Sequence, residues 1–199
     1  ATKGFDPNNG GLLSSMVVEV VGASTKTAVL SGPSFAQELA DGKPAAITMA
    51  TDTIDNSVLL AESMSNESLR IYLSSDPVGV QLGGGLKNVV AIAAGISDGL
   101  NLGANAKAAL VTRGLDEITS LGILLGASEK TFMGLSGVGD LMLSSSDDKS
   151  RNRSLGLAIG GGLSFNDATK LQNGTPEGAH AIKTLVENSV INNKYLKTL

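Results

Sequence analysis

The stretch DPVGVQLGGGLKNVVAIAAGIS, residues 76–97, decides how this chain of 199 residues is organised. Within it Leu82, Leu86, Val89, Ala93 and Ile96 recur at spacings of four and three, which sets them on one face of a helix. Lys87 and Asn88 interrupt the run near its middle, and the clean apolar run after them covers only about half a membrane span. Such a helix belongs in a protein core. Glycines 83–85 lie inside the pattern, where each costs about 1 kcal/mol relative to alanine. The triplet therefore points either to tight packing between elements or to a ligand held close to the backbone.

On either side of Asp76-Pro77 the pattern differs. Upstream, residues 9–21 read as a helix and 27–30 as a short strand stopped by Ser31-Gly32-Pro33. Residues 34–39 read as a helix begun by the Ser34 hydroxyl, 45–50 as a strand, 53–64 as a helix and 69–73 as a strand. Strands alternating with helices over short turns argue for an α/β layer. Downstream no segment reads as a strand, and Ala108, Val111, Leu115, Ile118 and Leu125 repeat the helical spacing. The expected fold class is an α/β, partial Rossmann-like N-terminal part over residues 1–76, followed by an all-α part over residues 77–199. The turn that opens a complete Rossmann domain, G-x-G-x-x-G after a strand, does not occur. Gly137-Val138-Gly139 comes nearest but lacks the third glycine, and the first residue is not methionine. From these features the sequence is expected to begin inside such a domain.

Composition narrows the chemistry. An apolar fraction of 42% supports a packed core, and a net charge of −4 with interspersed signs disfavours a nucleic-acid reader. The absence of cysteine removes disulfides, zinc–thiolate sites and cysteine nucleophiles, and fits a cytoplasmic protein. A single histidine, His180, expected to be exposed, argues against a histidine metal cluster or a Ser-His-Asp triad. No metal site is expected, and no signal peptide pattern opens the chain. Acid–base work would fall to Lys, Asp, Glu or Tyr.

Three places could carry it. Lys87 is the only charge between Asp76 and Asp98, on an otherwise apolar helix. A desolvated ammonium has a lowered pKa and exchanges protons near neutral pH; the alternative is a lysine that snorkels to water. Next comes GDLMLSSSDDKSRNRS, residues 139–154, in which Ser150 would cap a helix opened by Arg151, Asn152 and Arg153. Free N–H groups, the helix dipole and an arginine together suit a phosphate, although a solvated serine-rich loop would look the same. The third is SGPSFAQE, residues 31–38, a turn at the carboxyl end of a strand, where open α/β sheets bind ligands.

Taken together, these segments resemble the bacterial NAD(P)-dependent glycerol-3-phosphate dehydrogenases. The matching blocks are ATKGF, LSGPSFAQELADGKPAA, GVQLGGGLKNVVAIAAGISDGL, NAKAALVTRGLDEI, FMGLSGVGDLMLS, SRNRSLGLAIGGG and PEG, in family order from Ala1 to Gly178. The resemblance implies reversible reduction of dihydroxyacetone phosphate to sn-glycerol 3-phosphate with NAD or NADP, for phospholipid synthesis, by a homodimer. It puts Lys87 at the proton donor/acceptor. It puts Lys3, Gly32, Ser34, Asn88, Asp140, Ser150, Arg151 and Asn152 around the substrate. Lys3, Ala36, Arg151, Thr175 and Glu177 fall at cofactor positions, and Ser144 keeps a hydroxyl where many members have threonine. Lacking the glycine-rich turn, this polypeptide alone is expected not to bind NAD(H) at micromolar concentration; a saturable titration of NADH fluorescence would show the opposite. Two alternatives stay open, a related dehydrogenase acting on another small ketone or hydroxyacid, and a non-catalytic helical module.

Overall fold

The computed structural model describes residues 2–52, 57–172, 174 and 176–187. The chain enters through Lys3 and Phe5, which bridges Leu12, and then forms helix α1 (Leu13–Val21). That helix starts later than its apolar pattern suggests. Asn9 Oδ1 accepts the Gly11 N–H at 2.7 Å and Gly10 sits at φ +71°, so residues 9–11 form a turn instead.

Strands β1 (Val29–Ser31), β2 (Ala45–Ala50) and β3 (Leu69–Ser74) make a sheet in that order. β1 runs antiparallel to β2, with helix α2 (Ala36–Ala40) between them in sequence. β2 and β3 are parallel, as a strand pair joined through helix α3 (Ser57–Met64) must be when the connection crosses over the sheet. Ile47, Met49, Ala61 and Ile71 form a small core between sheet and α3. The Ser34 hydroxyl does not cap α2, whose N-cap is Phe35. It donates instead to the Gly32 carbonyl at 2.9 Å, closing the turn in which Gly32 takes φ +145°.

Beyond β3 the described residues hold only helices and turns. Helix α4 (Pro77–Gly99) is capped by Asp76, whose Oδ1 accepts from Gly79 N at 2.8 Å, with Pro77 at the first helical position. The other Asp76 oxygen accepts from Ser128 N at 2.9 Å and Thr131 Oγ1 at 2.5 Å, which ties the start of α4 to helix α6 (Glu129–Phe132) beyond α5 (Ala104–Leu124). A wide turn at Leu135–Gly139 leads into α7 (Asp140–Ser146), followed by α8 (Arg151–Gly160), α9 (Phe165–Lys170) and α10 (Glu177–Glu187). By length and composition α4 could span a bilayer, but 83% of its most apolar window is buried, mostly against α5, α7, α8 and α10. Leu82, Leu86, Val89 and Val90 join Ile118, Leu121, Phe132 and Leu141 in the main core.

The α5 face follows Leu110, Val111, Leu115, Ile118 and Leu121; Ala108 is exposed, and Leu125 is an exposed C-cap outside the helix. Glycines 160–162 make a second glycine-rich stretch, which falls at the end of α8 rather than in a helix interior. Glycines 161 and 162 terminate α8, with Gly162 at φ +101°. Glycines 83–85 are packing positions. A Cβ on Gly83 would stand 2.5 Å from the Ser136 carbonyl oxygen, on Gly84 2.6 Å from Ser31 Oγ, and on Gly85 3.2 Å from the Phe5 ring. Three separate segments thus close on one turn of α4, immediately before Lys87.

Candidate active site

Lys87 follows that glycine turn by two residues on α4 and is only 6% exposed. Its ammonium donates to Asp140 Oδ1 at 2.5 Å and to Ser144 Oγ at 2.6 Å. Asp140 and Ser144 are spaced i, i+4 on α7 and so present both oxygens on one face. Asp140, 1% exposed, carries a second cation: Lys3 donates to its Oδ2 at 2.8 Å. One carboxylate therefore holds two ammonium groups, one from the start of the chain and one from α4. Burial, and then the neighbouring Lys3 charge, lower the Lys87 pKa from 10.5 to about 8 against the pull of Asp140.

The corner opens into a cavity of about 500 Å³ between the sheet and the helices. From the helical side it is lined by Lys87, Asn88, Asp140, Ser144, Ser150, Arg151, Asn152 and Glu177; from the other side Lys3, Ser31, Ser34, Phe35 and Ala36 face it. Ser150 caps α8, its Oγ accepting from Arg153 N at 3.3 Å. Arg151 is exposed and enters none of the ion pairs formed among the described residues, whereas Arg153 turns away to Asp98 and Asp148.

Asn152 is largely occupied by the fold. Its Oδ1 accepts from Gly178 N at 2.9 Å and its Nδ2 donates to Asn88 Oδ1 at 3.0 Å, leaving one amide hydrogen for anything in the cavity. Asn88 in turn reaches Gly84 O and Glu177 Oε2, both at 3.5 Å, so α4, α8 and α10 are joined through one amide pair. Gly32 does not line the cavity; it shapes the turn between Ser31 and Ser34, which do. Thr175 lies outside the described residues. His180 is exposed, and no group of three metal-ligating side chains occurs among the described residues.

Three further lining residues fall inside segments the sequence singled out but were not themselves named as site residues. Ser31, buried at the carboxyl end of β1, has a hydroxyl without a hydrogen-bond partner. Phe35 and Lys149 sit at the rim, Lys149 bonded to Glu38 of α2.

A model of the NAD-dependent glycerol-3-phosphate dehydrogenase C-terminus matches residues 76–197, and one of the N-terminus matches residues 1–57. Glycerol-3-phosphate dehydrogenase [NAD(P)+] of Thioalkalivibrio sulfidiphilus is 51% identical over 189 residues, covering 95% of this chain and 57% of that protein. The protein of the same name from Nitrosococcus oceani is 48% identical over 186 residues, covering 94% and 54%. The crystal structure of glycerol-3-phosphate dehydrogenase from Coxiella burnetii superposes with a TM-score of 0.90 at 40% identity, covering 95% of this chain and 57% of that one. The chain thus spans a little over half the length of the relatives it matches. Its partial Rossmann-like sheet and helical part are those of these relatives, and the chain belongs to the NAD-dependent glycerol-3-phosphate dehydrogenase family.

Proposed function

We propose that the protein containing this chain reversibly reduces dihydroxyacetone phosphate to sn-glycerol 3-phosphate with NADH or NADPH. One observation carries the reading: a dry lysine with its pKa lowered to about 8 faces the same cavity as the capped, arginine-bearing start of α8. As a ketone is reduced, negative charge grows on its oxygen, and a proton donor must be within hydrogen-bond reach. Lys87 gives that proton and, in the reverse direction, takes it from the alcohol. Asp140 and Ser144 aim the ammonium, and Lys3 shares the carboxylate. At the other end Ser150, Arg151 and the remaining Asn152 hydrogen receive the phosphate, helped by the free N–H groups of α8. Asn88, Gly32 and Ser34 complete the substrate side.

The residues present also fit the reactive end of a dinucleotide. Arg151 has unspent donors, Ala36 adds a small side chain to the wall, and Glu177 opens α10 at the cavity edge. Those three, with Lys3 and Thr175, would hold it. The nicotinamide, when bound, supplies the hydride. We further place the division between cofactor and substrate parts at Asp76–Pro77, and read the protein as a cytoplasmic homodimer. Asp76 supports that division, since it ends the sheet region and caps α4.

Turnover of the full-length protein with NADH tests the reading. Dihydroxyacetone phosphate should be reduced at least 100-fold more efficiently than dihydroxyacetone, given a charge-assisted phosphate site (on the order of 3 kcal/mol). Equal turnover of phosphate-free ketones or hydroxyacid precursors would overturn it in favour of a related dehydrogenase.

A further inference from the structure

A second cation stands at the phosphate end of the cavity. Lys149 immediately precedes the α8 cap, and its backbone N–H donates to Asp147 Oδ1 at 2.8 Å. The main chain is thereby held in the turn, while the exposed side chain lines the cavity. Its ammonium pairs with the Glu38 carboxylate across the mouth and lies 6.0 Å from the centre of the Phe35 ring. Glu38 itself does not line the cavity. The resting lysine is thus drawn to the rim by a partner outside the site.

That pairing is suited to exchange. Ion pairs at exposed positions contribute little, whereas a phosphate offers three acceptor oxygens and more charge than one carboxylate. Lys43 Nζ lies 3.9 Å from the same Glu38 oxygen, so a departing Lys149 does not leave the carboxylate alone. Lys3 and Lys87 are committed to Asp140, which leaves Arg151 and Lys149 as the cavity-lining cations able to turn toward an anion. The Glu38 hydrogen bond raises the Lys149 pKa, which keeps the side chain cationic at working pH.

We propose that Lys149 is a specificity-determining residue that exchanges Glu38 for a phosphate group of the bound ligand. The substrate phosphate is the expected source, so the inference rests on the proposed reaction, and a phosphate of the dinucleotide is the other source of the same chemistry. The test is calorimetric titration of the full-length protein with sn-glycerol 3-phosphate and, separately, with NADH and NADPH. Lys149→Met should weaken sn-glycerol 3-phosphate binding about five- to tenfold, an ordinary effect for one partly exposed ionic contact. Glu38→Gln, which removes the competitor, should tighten it about two- to threefold, and the double variant should behave like Lys149→Met alone. Unchanged affinity in Lys149→Met, or weakening by Glu38→Gln as large as that by Lys149→Met, overturns the proposal, because the pair is then only a strut. A change confined to NADH or NADPH overturns the substrate assignment and gives the contact to the dinucleotide. Wild-type protein that binds no sn-glycerol 3-phosphate defeats the underlying reaction as well, which separates the two failures.

Discussion

The two ends of the cavity are built on opposite terms. At the Lys87 end Lys87 and Asp140 are buried, Lys3 is half-buried, all three are hydrogen-bonded, and one carboxylate serves two lysines. At the Arg151 end the cations are exposed, and one of them is held only by a surface carboxylate. A group that must exchange a proton gains from a dry, fixed setting, which lowers its pKa and orients it. A group that must capture and release a phosphate gains from charge that water can reach and that moves cheaply. Under the proposed reaction, the difference teaches that proton transfer and phosphate capture are supported by separate physical means in one cavity.

The largest blow to this contrast is Lys87→Ala in the full-length protein. Loss of a positioned proton donor lowers kcat by about 10²–10⁴ with little change in KM, checked by steady-state kinetics; a variant with near-normal kcat breaks the scheme. Asp140→Asn comes next. Without the shared carboxylate the two ammonium groups repel each other, so kcat falls roughly 10- to 100-fold at pH 8 and the Lys87 pKa moves lower still. The pH profile shows the sign. In the wild type, reduction needs the charged ammonium, so its rate falls about tenfold per pH unit above about 8, while alcohol oxidation rises as pH climbs toward about 8 and then levels. In Asp140→Asn both limbs shift to lower pH.

At the open end effects are smaller and fall on binding. Arg151→Ala raises KM for dihydroxyacetone phosphate about tenfold and leaves kcat nearly intact. Ser150→Ala, which removes the α8 cap, is the mildest. It lowers stability by about 1 kcal/mol, read as a fall of a few degrees in Tm, and raises KM less than Arg151→Ala does. Should Ser150→Ala instead abolish turnover, the rim is as tightly engineered as the interior, and the comparison fails.

Much of this arrangement was legible in the residue order because it is local. The apolar stripe from Leu82 to Ile96, the Ser150 cap and the three strands all leave their signal within one segment. The Ser34 cap misled, since a hydroxyl two residues after a glycine turn competes for that turn's carbonyl. What pairs with what was not legible. The Lys3–Asp140 bond spans 137 residues, Lys87–Asp140 spans 53 and Asn88–Glu177 spans 89, and no spacing rule reaches that far. Lys149 looked like one more charge in a solvated serine-rich turn; only the fold sets α2 and its glutamate opposite.

Lys87 and Asn88 are consecutive residues of one helix, yet they look in different directions, Lys87 to α7 and Asn88 to α8 and α10. In the proposed reaction, the spacing between the proton donor and the phosphate-receiving helix is therefore set on the α4 side by a single peptide unit.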